Sequence, residues 1–502
     1  MPTRRRFITT AAATGAAFGL GDFAFLGRLP RVSAAETILP AKLVHLQSDI
    51  EPLVRFLETT PRDRLLEEVA ARLHRGLTYR ELLAALLLAG VRNIQPRPVG
   101  FKFHAVLVVN SAHLASLSSP DSDRWLPIFW ALDYFKSSQA QNVKEGNWTM
   151  GPVDESKLPA SHRAKAAFAE AMDNWDEAAA DRAVTGLART TGAHEMFEML
   201  CRYGVRDFRE IGHKAIYVAN SWRTLQAIGW EYAEPVLRSL AYGLLDHDGG
   251  NPAKGDAEPD RPWRQNLGRA EKIRADWQDG KPDAAATSEL LQTLRQASPE
   301  DASAKIVELL NRGTAPQSLW DGVFASAAEL LARRPGLVSL HALTSANAIH
   351  FAYQTSGNDQ TRRLLLLQNA AFMTLFRGEP GRLKELRLDQ LEPADSPNEA
   401  GPTLDDIFAS ISHDRLAAAR KVLAWSKSQA DPNEFINGAR RLVFLKGNNS
   451  HDYKFSSAVL EDWRNVSPPW RSRFLAASVF NLRGSGDKDN DLVKRTRAAL
   501  TV

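Results

Sequence analysis

Apolar and polar residues alternate with a helical period along nearly all of the chain after residue 40. The segment "TYRELLAALLLAG" (78–90) is apolar almost all round and predicts a buried central helix that begins with a capping box. "SDIE" (48–51) carries the same capping signal. In the segment that starts at Thr60, this residue suits an N-cap, Pro61 a first helical position and Gly76 a stop. No convincing set of alternating strands is found, so the pattern predicts an all-α fold.

Turn-forming residues interrupt the helical pattern in three places, at 147–162, 246–262 and 392–402. The second interruption crowds Gly, Pro and Asp together and is the strongest linker signal. The sequence therefore predicts a multi-helix array, with N-terminal modules over 40–246 and C-terminal modules over 263–502, around a central polar pocket.

One sequence motif is repeated along the chain. "HAVLVVNSAHLA" (104–115) and "HALTSANAIHFA" (341–352) share the spacing His-Ala-x4-Asn-x2-His-x-Ala. A third copy begins at Lys214, with His213 one position ahead of it and Arg in place of the second His. "HAVLVV" alone suits a strand as well as a helix, and its copy at 341 favours a helix. The first and third copies are both followed by Pro-x4-Leu-x-Tyr, which indicates duplication of a helical module.

Helical geometry separates the polar residues of this motif into two faces. At about 100° per residue, His113 shares a face with Asn110. His104 lies on the opposite face, and the two histidines are about 13 Å apart along the helix axis. One straight helix cannot place both histidines on one metal ion, but several helices could each offer a ligand to a shared centre. We favour the His104 face, since His213 and His341 keep a histidine there in every copy.

These patterns give two sets of candidate site residues. The predicted catalytic residues are His104, His213, His341 and His451. The predicted metal ligands are His113, His194, Glu198 and His350. His194 and Glu198 have a spacing compatible with ligation, although an exposed pair is compatible too. His451 is expected in a polar loop before a helix, or at a capped helix start. Buried Asn and His can also serve only helix register and hydrogen bonding.

Composition and missing motifs narrow the function classes. The 502 residues carry a net charge of +4 without a dense basic block, which argues against a nucleic-acid partner. The single cysteine, Cys201, excludes an intrachain disulfide and a thiolate metal cluster. P-loop, GxGxxG, GxSxG, CxxCH and HExxH motifs are absent from the sequence. A metal, or a noncovalent haem with one axial histidine, stays open as a cofactor.

The N-terminus predicts export. "TRRRFIT" (3–9) precedes a short Ala- and Gly-rich run and then "RVSAAE", the order of a signal peptide over 1–35. A disordered basic tail is the alternative. Arg4-Arg5 followed by Phe7 resembles the twin-arginine signal, which implies a bacterial protein that the Tat machinery carries to the periplasm or beyond. The apolar run is too short for a membrane span, so no span is predicted in the mature chain.

Two longer strings carry further resemblances. "GHKAIYVANSWRTLQAIGWEYAEPVLRSL" and "HDYKFSSAVLEDWRNVSPPWRSRFLAASVF" resemble twin-arginine-exported bacterial proteins without assigned function. Histidine-bearing helices in repeated modules are similar to questin-oxidase-like proteins, an all-helical family that includes cofactor-independent Baeyer–Villiger-type oxygenases. These resemblances imply an exported oxidoreductase that acts on a small organic substrate through a histidine-lined pocket, with or without a metal. The alternative is a non-enzymatic helical scaffold or binding protein of the cell envelope.

Overall fold

A computed structural model describes residues 43–378, 381–395, 401–427 and 431–501. These ranges contain 22 α-helices and no β-strand, which confirms the predicted all-α array. The helices, α1 to α22 in chain order, span 51–59, 62–74, 79–93, 104–117, 126–144, 161–173, 177–190, 193–204, 213–228, 233–244, 261–270, 284–294, 299–311, 316–333, 337–355, 359–375, 404–411, 415–427, 432–446, 450–465, 468–478 and 491–500. The predicted signal peptide, residues 1–35, lies outside the described residues.

Four helices form the centre of the fold. Helix α4 packs against α9, α9 against α15, α15 against α20, and α20 back against α4, which closes a ring. Nearly every residue is buried over 104–112 and 339–350, as expected for helices that are apolar on all sides. Three of the four helices carry the repeated motif. The fourth, α20, does not.

The four central helices run in the same direction. Residues at the start of α4 and α9 are in contact, and so are residues about two turns further along both helices. Parallel neighbours need a return path, since a 14-residue helix ends about 21 Å from where it began. The helices between α4, α9, α15 and α20 supply these returns, and they pack around the ring. This arrangement brings equal positions of the repeated motif to equal heights.

Some predicted helix starts need correction. Thr78 caps α3 with a capping box as predicted, and α3 is buried over 82–92. Ser48 does not cap α1, because the chain makes a turn there and the helix begins at Glu51. Thr60 is not the cap of α2 either. Its hydroxyl donates to the carbonyl of Phe56 in the preceding helix, so the Thr60 side chain does not cap α2.

The segment around His451 is a capped helix start, which is the second of the two predicted alternatives, and not a loop. Asn449 accepts hydrogen bonds from the backbone N–H groups of His451 and Asp452, and the Asp452 side chain completes a capping box. Helix α20 therefore begins at Ser450, and His451 lies in its first turn. The predicted interruptions at 147–162 and 246–262 hold no α-helix until Ser161 and Arg261, respectively. None of the helices in the described ranges has both the length and the hydropathy to cross a bilayer.

Candidate metal centre

Four histidine side chains meet where the central helices begin. His104 and His213 are the first residues of α4 and α9. His451 is the second residue of α20, and His341 begins the second turn of α15. Around the ring the centroid distances are 4.9 Å for His104–His213, 4.3 Å for His213–His341, 5.2 Å for His341–His451 and 4.7 Å for His451–His104. These residues, the histidine cluster, are the four that the sequence analysis predicted as catalytic.

Backbone carbonyls hold three of the imidazole rings by the same nitrogen. Nδ1 of His104 lies 2.8 Å from the Phe101 carbonyl oxygen, and Nδ1 of His213 lies 2.6 Å from that of Glu210. Nδ1 of His341 lies 2.6 Å from the Leu337 carbonyl oxygen. A carbonyl only accepts, so each Nδ1 carries the proton and each Nε2 of a neutral ring presents a lone pair. This is the usual outer-shell support of a metal-binding histidine.

The Nε2 atoms face one another inside the cluster. Nε2 of His104 and Nε2 of His213 are 3.0 Å apart, although neither carries a proton when the ring is neutral. Nε2 of His341 is buried without a hydrogen-bond partner. Ligand atoms of His104, His341 and His451 lie within 4.8 Å of one another, and this group could hold a metal ion. Two nitrogens bound to one tetrahedral ion at about 2.05 Å would be about 3.3 Å apart, close to the separation found for His104 and His213.

Unusual backbone geometry supports two of these rings. Phe101 has φ 46° and Glu210 has φ 56°, in the left-handed region that bulky residues rarely adopt. Each such residue costs about 1–3 kcal/mol and is found mainly at functional sites. Both carbonyl groups that orient His104 and His213 belong to these residues. At Gly212, φ is +82° and a Cβ would lie 2.7 Å from Cβ of Ser345, so only glycine fits where α9 meets α15.

Burial and a nearby lysine keep the cluster neutral. Burial, followed by the charge of Lys454, lowers the pKa of His104, His213 and His341 well below 6.5. The same two causes lower the pKa of His451, which is partly exposed, to about 4. Lys454 is itself fully buried, its Nζ has no hydrogen-bond partner, and burial lowers its pKa to about 7. A proton shared between His104 and His213 is therefore disfavoured at neutral pH, and a metal ion would suit these lone pairs better.

A second polar layer lies about two turns along the same helices. The motif asparagines meet there: Nδ2 of Asn110 is 3.4 Å from Oδ1 of Asn220, and Nδ2 of Asn220 donates to the Leu107 carbonyl. Asn347 donates to Glu461 of α20, which also accepts from Arg223. A cavity of about 10 Å³ lies in this part of the bundle. It is lined by Asn110, Ser111, Ile216, Asn220, Arg223, Thr344, Asn347, Lys454, Ser457 and Ala458.

The four predicted metal ligands lie elsewhere. Nδ1 of His113 is 3.0 Å from the Tyr79 hydroxyl, and His194 packs against an indole ring. Glu198 accepts from Ser356 and from the Gly357 backbone N–H. His350 packs among aromatic rings of α14 and α15. In the described ranges these four form no group that could hold a metal ion. The group that could hold a metal ion consists instead of His104, His341 and His451, which were predicted as catalytic residues.

Neither Lys454 nor Thr344 is among the candidate site residues predicted from the sequence. The spacing of α20 contains a usable signal, because Lys454 is three residues after His451 and Ser457 is six residues after it. In α4 and α15, the sixth position after the motif histidine holds asparagine. Ser457 donates to the carbonyl of Ser111 in α4, so α20 follows the register of the motif with a different residue.

His350 predicts an acid-sensitive step in stability. Burial lowers its pKa from 6.5 to about 3, so the unfolded chain binds a proton there that the folded chain does not. Its contribution is intact above pH 6.5 and is lost as the pH falls towards 3, by about 1.4 kcal/mol per pH unit. His350→Leu should therefore reduce the acid loss of stability by about 2 kcal/mol between pH 6.5 and 4.5.

Urea unfolding at the two pH values measures this difference. The control is His74→Gln, because His74 is exposed and keeps its contact with solvent when the chain unfolds. An equal loss of stability in His350→Leu and the unsubstituted protein would contradict the prediction.

Comparison with protein-family models, with curated proteins and with solved structures finds no match. The fold and the site themselves define the class: an all-α protein whose parallel central helices enclose a buried histidine cluster that could hold a metal ion.

Proposed function

We propose that the histidine cluster binds one transition-metal ion, and that the chain is an exported oxidoreductase acting on a small organic substrate. The observation that carries the metal site is the grouping of His104, His341 and His451, whose ligand atoms lie within 4.8 Å of one another while backbone carbonyls hold Nδ1 of His104 and His341. A scaffold whose histidines serve only local hydrogen bonds would leave them scattered. It would not require His104 and His213 to approach to 3.0 Å through Nε2.

The chemistry of the ligands indicates which metals fit. Imidazole suits zinc, copper, iron and nickel, whereas calcium and magnesium prefer oxygen ligands. The group that could hold an ion contains histidines alone. A bound copper or iron ion would supply the redox chemistry of the proposed reaction. Haem is a poor fit for the adjoining cavity, whose volume of about 10 Å³ leaves no room for a porphyrin.

The chain's own residues would do the remaining work. His451 is the partly exposed member of the cluster and offers the approach for a substrate. Phe101 and Leu337, whose carbonyls hold the rings of His104 and His341, have side chains that are 70% and 59% exposed. Apolar side chains at this end favour a substrate with an apolar body. Export rests on the twin-arginine-like N-terminus, and activity outside the cytoplasm would follow from it.

Lys454 favours a second candidate, a cofactor-independent oxidoreductase. Burial lowers its pKa to about 7, the value at which an amine serves best as a general base at neutral pH. The neutral imidazoles would then orient the substrate by hydrogen bonds.

Elemental analysis and absorption spectroscopy of protein purified without chelators test the proposal. About one copper or iron ion per chain, with loss of its absorption band in a His104→Ala variant, is expected. Stoichiometric zinc would support the site and contradict the redox role. Protein that is metal-free as purified and does not take up copper, iron or zinc on titration would overturn the metal site and favour the cofactor-independent candidate.

A further inference from the structure

The small cavity in the asparagine layer is lined by residues that carry unsatisfied polar atoms. Lys454 Nζ, Thr344 Oγ1 and Asn110 Oδ1 are buried without a hydrogen-bond partner, and all three residues line this cavity. They are 3%, 4% and 2% exposed, so bulk water does not serve them. Buried polar atoms in folded proteins are rarely left unpaired. Three such atoms around one cavity indicate a ligand that serves them together.

The orientation of Asn110 follows from its neighbour. Asn220 donates through Nδ2 to the Leu107 carbonyl, so its Oδ1 is the atom that faces Asn110. Asn110 must meet that oxygen with its own Nδ2, which leaves its Oδ1 as a free acceptor in the cavity. The ligand therefore has to donate a hydrogen bond to Asn110.

The other two groups define the rest of the ligand. Lys454 donates when it is charged, and the Thr344 hydroxyl either donates or accepts. A halide or a carboxylate cannot donate to Asn110, and a metal cation would be repelled by Lys454. A water molecule both donates and accepts, and it needs a cavity of about 10–15 Å³ with two to four polar partners. The cavity volume of about 10 Å³ matches this size.

We propose that Lys454, Thr344 and Asn110 bind one internal water molecule on the axis of the four central helices. The site does not depend on metal binding at the histidine cluster. Lys454 lies one helical turn after His451 on α20, so it connects the proposed water site to the helix that carries a member of the cluster.

A larger cleft lies beside the cavity. Ser457 lines both the cavity and a surface cleft of about 190 Å³, whose other lining residues include Glu461, Arg440 and Arg464. The cavity and the cleft are therefore adjacent along α20.

The test compares two nearly isosteric substitutions in metal-free protein. Thr344→Val removes a hydroxyl that bonds the proposed water and should lower the melting temperature by about 1–3 °C. Thr361→Val is the matched control, since Thr361 Oγ1 is also buried and unpartnered but does not line the cavity. Removing a hydroxyl without a partner should leave the melting temperature unchanged or raise it.

A rise in melting temperature for both variants would overturn the proposal, because Thr344 would then have no ligand to lose. A high-resolution crystal structure gives a direct second measurement. An ordered water within hydrogen-bond distance of Lys454 Nζ, Thr344 Oγ1 and Asn110 Oδ1 is expected, and a cavity without density would contradict it. Neither measurement requires a bound metal or an assay, so the proposed function and the water site can fail separately.

Discussion

His341→Ala is expected to lower the affinity for copper or zinc by more than 100-fold. His341 belongs to the group that could hold an ion, and its Nε2 is buried without another partner. Loss of an outer-shell partner alone typically costs 10–100-fold in affinity, and loss of a direct ligand should cost more. Competition with a chromophoric chelator at pH 7 measures the change.

The matched control for this experiment is on the same helix. His350→Ala removes another buried histidine of α15 nine residues further on, where the ring packs between Trp320 and Phe324. It should lower stability and leave the metal affinity nearly unchanged. Equal losses of affinity in the two variants would show that damage to α15, and not the loss of a ligand, weakens binding.

The second large effect is a gain in stability from Lys454→Met. Burial lowers the pKa of Lys454 from 10.5 to about 7, and its Nζ has no protein partner. The unfolded chain therefore binds a proton more readily there between pH 10.5 and 7, so folding loses stability over this range as the pH falls. One pKa unit corresponds to about 1.36 kcal/mol. Burial of Lys454 therefore lowers the free energy of unfolding by about 5 kcal/mol at pH 6 and about 2 kcal/mol at pH 9.

Methionine removes that cost and keeps much of the volume. Denaturant unfolding at pH 6 and pH 9 should show the larger gain at the lower pH. Lys214→Met is the contrasting control, because Lys214 is equally buried but pairs with the buried carboxylate of Asp207 at 2.9 Å. Removal of this lysine takes away the nearest cation of the buried Asp207 carboxylate, which keeps only Arg209 at 3.6 Å, and should destabilise the fold. A loss of stability in both variants would contradict our account of Lys454.

The repeated motif is the reason that the histidine and asparagine positions of the site could be predicted from the sequence. The motif gives the same separation between histidine and asparagine in α4 and α15, and a one-residue offset in α9. Parallel packing turns this common spacing into two polar layers, one of histidines and one of asparagines. Helix α20 lacks the motif, because it carries Ser457 where the motif has asparagine, so only the spacing of His451 and Ser457 indicates its register.

The predicted ligands show the limit of spacing as evidence. His194 and Glu198 are four residues apart on one helix, yet Glu198 bonds Ser356 and Gly357, while His194 packs against Trp222. Helical spacing places two side chains on one face, but the partner of that face comes from elsewhere in the chain. Only the packing of α8 against its neighbours decides it.

The sequence by itself determined the helical fold, through its hydrophobic period, and the positions of polar residues along each helix. These are local properties, since propensity, capping and periodicity act over a few residues. The tertiary structure alone decided that four helices run parallel in a closed ring, which joins His104 to His213 across 109 residues. It also buried Lys454 beside them. Contacts of that range depend on how all the helices share one core, and no local pattern encodes them.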